Sequence, residues 1–482
     1  MHFALIAKVL GILLVVFSIT MLSPVLVAWL YDDGMQLPFL TAFAITFVSG
    51  LALWMLFFRV RDELGVRDGF LVVTLFWVVL GLIGALPFLL ILEISITDAV
   101  FESLSGLTTT GASVLSGLDY MAPSLLYYRQ QLQWLGGMGV IVLAVAILPM
   151  LGVGGMQLYK AEIPGPMKEA KLTPRIAETA KALWYVYLAV TAACIGGYWL
   201  AGMSLFEAIC HAYSTVATGG FSTRDESIAA FDSGAIDAVA TFFMFLCGAS
   251  FALMFAALRR GSIRTFFTDP EFRFYLGLMF IYLVIVSVVL WINQIYESPT
   301  ETLRHAAFQV ASFGTGTGLT STDAASSWPV TLMILLVFTS FVSGCAGSTT
   351  AGMKVVRVAL MVHQSLRELR RLVYPHGVFA LRFGQRSVND QVLQAVWGFI
   401  GVYITIAVLL TLAMSATGMD MMTAFSTVAA SLNTLGVGIG GVSSGFAHIA
   451  TEAKWLMCLA MLLGRLEVFT ILVLFTPVFW RQ

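Results

Sequence analysis

The stretch TTTGAS, residues 108–113, interrupts a chain whose neighbouring segments are almost wholly apolar. Three hydroxyl residues and a glycine are poor material for a membrane-crossing helix, and the stretch decides the fold because it does not stand alone. Three later loops carry a related unit. In chain order the four read SITDAVFESLSGLTTTGAS, MSLFEAICHAYSTVATGGFST, ETLRHAAFQVASFGTGTGLTSTD and MMTAFSTVAASLNTLGVGIGG. Matching the glycines pairs Gly111, Gly219, Gly318 and Gly436, at separations of 108, 99 and 118 residues. That is the spacing of four repeated units of similar length. Phe101, Ile209 and Phe308 lie ten positions before their glycines and Phe425 eleven before, which leaves the register of the fourth copy open by one residue.

The composition sets the solvent in which these units must fold. Of 482 residues, 59% are hydrophobic and 11% charged, and the mean hydropathy is +0.91. A soluble chain of this length would be polar on its surface, so the expected class is an all-α polytopic membrane protein. Ten apolar runs, beginning near residues 4, 36, 69, 125, 182, 235, 275, 327, 392 and 454, are each about long enough to cross ~30 Å of hydrocarbon as helix. The first contains Lys8 and is followed after a short YDDG turn by the second, so it is expected to be a retained span, not a cleaved leader. Cys194, Cys210, Cys247, Cys345 and Cys458 are scattered without metal or redox spacing and are expected to be packing residues.

Net charge is −1, which points to no nucleic-acid partner; the placement of Lys and Arg is the useful signal. Arg59, Arg61 and Arg67 follow the second run, residues 160–175 the fourth, 259–273 the sixth and 357–386 the eighth, with few in the loops between. The positive-inside rule then puts both termini and the basic loops in the cytoplasm. The four glycine stretches enter from outside.

The helical part of each stretch is expected to be ten to twelve residues, roughly 15–18 Å, half a bilayer. Irregular backbone at that depth is tolerated where it lines a wet cavity or is buried in protein, and four re-entrant loops converging on one axis satisfy that condition. Short helices aiming their carboxyl ends inward place partial negative charge there. Backbone carbonyls of the returning stretch substitute for an ion's hydration shell, with glycine allowing positive φ at the turn. A cation such as potassium is the matching cargo.

Together with ATGGFST in the second loop, SGCAGSTTAGMKVVR at 343–357 and MLLGRLEVFTILVLFTPVFW near the end, these features resemble the Trk/Ktr/HKT superfamily of potassium-translocating proteins over the whole chain. The two runs before the first unit make it similar to the bacterial Trk type. The resemblance implies a potassium-channel-like, pseudo-fourfold pore of four helix, pore loop, helix units. They would span residues 63–165, 166–268, 269–375 and 376–482, after two extra N-terminal helices at 1–62. It implies backbone ligands for potassium at Thr110 and Gly111, Thr218 and Gly219, Thr317 and Gly318, and Leu435 and Gly436, with no organic cofactor. It also implies a homodimer in the bacterial inner membrane, regulated by a cytoplasmic nucleotide-binding ring, TrkA. The third and fourth stretches read TGTGL and TLGVG in place of a threonine run and a proline; such irregular copies are expected to select less strictly than a tetrameric TVGYG filter.

The eighth run is about 35 residues, too long for one crossing, and its middle holds Ser343, Gly344, Cys345, Ala346, Gly347, Ser348, Thr349, Thr350, Ala351 and Gly352. Small residues there fit a kinked, closely packed helix; the resemblance adds a mobile gate loop at 343–353, beneath the filter. Arg465 is a lone charge inside the last run, where function is the default expectation. Either it pairs with a carboxylate, or it faces the pore as a barrier to cations, as the resemblance implies. Glu467, two positions on, faces away from it on a helix. Lys354 and Arg357 are expected to snorkel at the cytoplasmic end of the loop. Glu102 and Glu207 either enrich cations at the mouth or anchor the loops by hydrogen bonds. His211 and His305 have no ligand spacing, and GTGTG and GVGIGG follow no strand of a βαβ unit, so neither is expected to bind a nucleotide. The polar segment 367–390 is either the positive-inside signal or a dock for the regulator. The leading expectation is a potassium uptake subunit. The alternative is a proton- or sodium-coupled secondary transporter of monovalent cations, which would show inverted repeats; an intramembrane enzyme would need a nucleophile and base or a metal motif, and none is present.

Overall fold

A computed structural model describes residues 1–60, 65–142, 172–384 and 386–481. Arg61, most of the basic stretch 160–175 and the expected boundaries at 62/63 and 165/166 lie outside those residues. Among the described residues six helices are long and apolar enough to cross a membrane unbroken: Phe3–Tyr31, Gln36–Phe57, Arg67–Ile91, Ala180–Leu200, Pro270–Ile292 and Asp390–Ala416. The only strands among them are two pairs of two-residue bridges.

The first two helices form a hairpin whose crossing point is set by glycine. A Cβ on Gly11 would lie 2.8 Å from the Gly50 carbonyl oxygen, and one on Gly50 would lie 2.9 Å from that of Gly11. Small residues allow this backbone approach where no hydrophobic force drives helices together in lipid. Lys8, the charge in the first run, donates to the Phe58 and Val60 carbonyls at 3.2 and 2.7 Å, capping the end of the second helix.

After the hairpin, one pattern recurs four times. An outer helix is followed by a short helix, a glycine stretch and an inner helix. The short helices are Ile96–Leu107, Leu205–Val216, Pro299–Thr315 and Met421–Leu432. Each starts on a side chain that accepts from the third backbone N–H beyond it: Ser95 from Asp98, Ser204 from Glu207, Ser298 from Glu301 and Asp420 from Thr423. These caps satisfy donors that would otherwise be orphaned at a helix start. Three helices have 12 residues, as expected, but the third has 17. Its Ser298 cap lies about one turn further from the glycine.

Each inner helix packs between its own short helix and that of the next unit. Pro123–Val142 lies between the first and second, Gly234–Cys247 between the second and third, and Val330–Phe341 between the third and fourth. Thr451–Arg465 lies between the fourth and the first, which closes the circle. Two apolar clusters fill the space around it. One runs from the N-terminal hairpin through units one and four, the other through units two and three.

The inner helices are less regular than uniform crossings. The sixth run bends by 96° between Gly234–Cys247 and Phe251–Arg260, and the tenth by 106° between Thr451–Arg465 and Phe469–Phe475. The second bend follows from Glu467 and Val468, which both take positive φ. The eighth run ends its helix at Phe341, loops, and restarts at Val355. A kinked continuous helix is therefore excluded, because Val342 and Ser343 pair side by side with Met353 and Lys354 in a two-residue parallel bridge that closes a loop over residues 344–352. The segment expected as a polar loop at 367–390 is in part helix, since Val355–Val373 continues into it, followed by the Arg382–Phe383 and Arg386–Ser387 hairpin.

Candidate functional site

The four glycine stretches meet in a ring. Its register is set by backbone hydrogen bonds in which the N–H of Thr110, Gly219, Thr317 and Leu435 donates to the carbonyl five residues earlier, at 2.8, 2.8, 2.8 and 2.9 Å. The residue after each donor is a glycine with positive φ: Gly111 at 81°, Gly220 at 84°, Gly318 at 78° and Gly436 at 73°. A second left-handed residue precedes each donor, namely Thr109, Thr218, Gly316 and Thr434.

The second unit therefore aligns one residue later than the spacing suggested. Gly220, not Gly219, is the counterpart of Gly111, and Thr218 holds the place of Thr109, not that of Thr110. The physical reason is backbone conformation: the residue after the donor is left-handed in all four units, and in the second unit that residue is Gly220, whereas Gly219 does not have positive φ. The caps carry a signal for this that glycine spacing missed: Gly111, Gly220 and Gly436 each lie 16 residues beyond Ser95, Ser204 and Asp420.

Ring closure is visible in what each glycine faces. A Cβ on Gly111 would lie 2.1 Å from the Gly219 oxygen, on Gly220 2.2 Å from the Thr317 oxygen, on Gly318 2.0 Å from the Leu435 oxygen, and on Gly436 2.3 Å from the Thr110 oxygen. Four carbonyls and four glycines thus alternate between neighbouring units. Around the ring, hydroxyls are turned to one another and to backbone: Thr108 pairs with Thr110 at 2.8 Å and Thr315 with Thr317 at 2.7 Å. The short helices end just before the ring and direct their carbonyl ends toward it, which favours positive charge.

The polar side chains behind the ring are anchors. Glu102 and Arg129, both fully buried, form an ion pair at 2.7 Å. Glu102 also accepts from the Val114 N–H and the Ser113 hydroxyl at 3.1 and 3.0 Å. Arg129 donates to the Ser222 carbonyl at 3.1 Å and lies 4.2 Å from the Phe221 ring centre. Glu102 therefore holds the returning stretch of unit one, and the sequence did not reveal Arg129 because its partners are 27 and 93 residues away. His211 bonds the Glu207 carbonyl and the Ser222 hydroxyl, and His305 the Ser321 hydroxyl; both pack, as expected. Arg224 bridges Asp119 and Glu207 at 3.1 and 2.6 Å. Slight burial pushes the Asp119 carboxyl up, but the Arg224 hydrogen bond, the bonds from Asp225 and the guanidinium charge together outweigh it and hold Asp119 below its ordinary value.

The 343–353 loop lies against the end of the second short helix. Thr349 is its contact point: its hydroxyl donates to the carbonyl of Val216, the last residue of the second short helix, at 3.2 Å, and accepts from the Thr218 hydroxyl at 3.3 Å. The loop is tied to the bend in the sixth run, where the Cys345 N–H donates to the Gly248 carbonyl at 2.7 Å and the Phe251 N–H to that of Gly347 at 3.0 Å. The Ala346 N–H donates to Glu271 at 2.6 Å. Within it, the Ser343 hydroxyl donates to the Ala351 carbonyl, and Ser348 bonds Cys345 and Thr350.

Arg465 ends its helix buried, one guanidinium nitrogen donating to the Thr349 carbonyl at 2.8 Å and another to the Gly136 carbonyl at 3.0 Å. No carboxylate within bridging distance faces it among the described residues; Glu467 instead pairs with Arg357 at 2.6 Å. Lys354 and Arg357 do not snorkel. Lys354 is buried and donates to Thr350 within the loop, and Arg357 is buried with its guanidinium 4.0 Å from the Phe399 ring centre. Loop compaction pulls both charges inward, where carbonyl and carboxylate partners replace water.

A circle of four re-entrant helices around a carbonyl ring, carried by membrane-length helices, is the architecture of a pore-loop cation-translocating membrane protein. The TrkH cation transport protein model matches residues 36–481, and the chain belongs to that family. It is 50% identical to the Trk system potassium uptake protein TrkH of Vibrio parahaemolyticus and 49% to that of Escherichia coli (strain K12), each over the full length of both chains. The crystal structure of the potassium transporter TrkH from Vibrio parahaemolyticus superimposes with a TM-score of 0.93 at 47% identity, again covering both chains completely.

Proposed function

We propose that the chain is the ion-conducting subunit of a potassium uptake system, in which the carbonyls of Thr110, Gly219, Thr317 and Leu435, with Gly111, Gly220, Gly318 and Gly436 at the turns, take the place of a potassium ion's water. The closed ring of alternating carbonyls and glycines carries this reading. Carbonyl dipoles of moderate field strength suit a large, weakly hydrated monovalent ion. Inward movement is driven by the membrane potential, ~2.3 kcal/mol per charge per 100 mV.

Beneath the ring, the loop from Ser343 onward is the gate, and Arg465 is a cationic barrier that also latches it through Thr349. The touching of Thr349 to both the second filter stretch and Arg465 supports this assignment. Four units at 63–165, 166–268, 269–375 and 376–482, preceded by an accessory hairpin at 1–62, are the corresponding division of the chain. A homodimer in the bacterial inner membrane with cytoplasmic termini, regulated by the nucleotide-binding subunit TrkA, is the assembly that family resemblance supports, and the Trk-system name of the relatives supports partner subunits. The test is flux of rubidium and sodium into liposomes holding the purified full-length chain, with and without the regulator. Rubidium uptake that exceeds sodium uptake and responds to the regulator is expected; equal permeation of both ions would refute the filter.

A further inference from the structure

We propose that Gln133 is a specificity-determining positioning residue of the filter, acting through the Gly219 carbonyl. The inference rests on the reading of the carbonyl ring as the ion's ligand set.

Gln133 lies on the inner helix of unit one, fully buried. Its amide nitrogen donates to the Gly219 carbonyl at 2.6 Å, and its amide oxygen accepts from the Phe221 N–H at 3.2 Å. Both ends of the amide are read by the backbone of one stretch, which fixes its orientation: the nitrogen must meet the carbonyl and the oxygen the N–H. One turn earlier on the same helix, Arg129 grips Ser222 and Phe221. Arg129 acts beyond the ring, whereas Gln133 acts on a ring carbonyl.

The same contact explains a residue that backbone conformation leaves unexplained. Gly219 does not have positive φ, and its counterparts are Thr110, Thr317 and Leu435, so no turn requires glycine there. A Cβ at 219 would lie 2.4 Å from the Gln133 Cδ and 2.5 and 2.8 Å from its amide oxygen and nitrogen. The paired glycines of ATGGFST therefore serve two needs: Gly220 turns the chain, and Gly219 makes room for Gln133.

Among the described residues, no side chain donates to the Thr110, Thr317 or Leu435 carbonyls. The ring is thus asymmetric, with one oxygen sharing its lone pairs between a cation and an N–H donor. That sharing lowers the field the oxygen presents, and the second bond to Phe221 keeps the stretch from closing around a smaller ion. Weaker field and resisted collapse both favour potassium over sodium.

The experiment compares rubidium with sodium flux in liposomes holding the full-length chain. Gln133→Met keeps the buried volume and removes both bonds, and the rubidium-to-sodium ratio is expected to fall by about three- to tenfold, the worth of one intramolecular hydrogen bond. Gly219→Ala expels the amide with Gln133 present and is expected to lower the ratio likewise, so it stands in if Gln133→Met does not fold. The double variant should fall no further than the worse single one, because both changes break the same contact. An unchanged ratio in folded Gln133→Met and Gly219→Ala, whatever the total flux, overturns the inference. If Gly318→Ala lowers the ratio in the same assay, the ring reading survives that result; if Gly318→Ala leaves the ratio unchanged too, the ring reading has failed and the Gln133 inference falls with it.

Discussion

Replacing Arg465 by Gln separates a pore barrier from a structural ion pair. In the structure Arg465 makes two hydrogen bonds to backbone oxygen, and only the one to Thr349, at 2.8 Å, belongs to the loop. A bond from a charged donor contributes about 1.5–3 kcal/mol. Losing it leaves the loop held by the Cys345, Ala346 and Gly347 backbone bonds and by the Thr349 hydroxyl. With each 1.4 kcal/mol worth about tenfold in an equilibrium constant, the ratio of held to released loop drops by about 10- to 150-fold. On the proposed barrier reading, removing the charge also lowers the electrostatic cost of a passing cation. Both effects have the same sign. Rubidium uptake by Arg465→Gln liposomes without the regulator should therefore rise well above that of the parent chain, with a smaller response when the regulator is added. Folded Arg465→Gln protein whose unregulated uptake stays level or falls would refute the latch and the barrier together.

Arg129→Met should destabilise the fold by about 3–5 kcal/mol, because Glu102 is left as a buried charge without its partner, and thermal unfolding in detergent should report a lower midpoint. Arg129→Met with Glu102→Leu should recover part of that loss, since an apolar pair of similar volume carries no uncompensated charge. Gly318→Ala should abolish discrimination between rubidium and sodium, because φ is +78° and the new Cβ would overlap the Leu435 oxygen. Asp119 has a depressed pKa in the folded state, so the stability it contributes is present above its unfolded pKa and lost only as pH falls through the still lower folded one. Acidifying the outside from about pH 7 to 5 should leave the Arg224 bridge intact and uptake unchanged by this route; Arg224→Gln measured alongside would expose any other pH dependence.

The class of fold was legible because it follows from one-dimensional quantities. Run length against bilayer thickness gave the ten apolar runs, and four glycine stretches at similar spacing gave the repeat. The same logic missed the inner helices. Gly248 and the Glu467 and Val468 turn bend them without shortening the apolar run, so hydropathy sees no break. At residues 343–352 the small polar composition was visible, but composition alone allowed a kink as well as a loop; the bridge of Val342 to Met353 decided between them.

What the sequence by itself determined is the number and kind of parts: membrane helices, four re-entrant stretches with glycine at their turns, a small-residue interruption in the eighth run and a lone arginine in the last. Those are set by local propensity and by the cost of polar groups in hydrocarbon. What only the tertiary structure decided is register and partnership. Two adjacent glycines, Gly219 and Gly220, look alike in a sequence, and only the φ of one and the Gln133 amide against the other distinguish them. Arg465 and Glu467 are neighbours in sequence, yet one meets Thr349 and the other Arg357, because the helix ends at Arg465 and the positive φ of Glu467 turns the chain toward a different wall. The ring itself is made of carbonyls, which every residue has; their convergence comes from four units closing on each other, and no side-chain pattern encodes it directly.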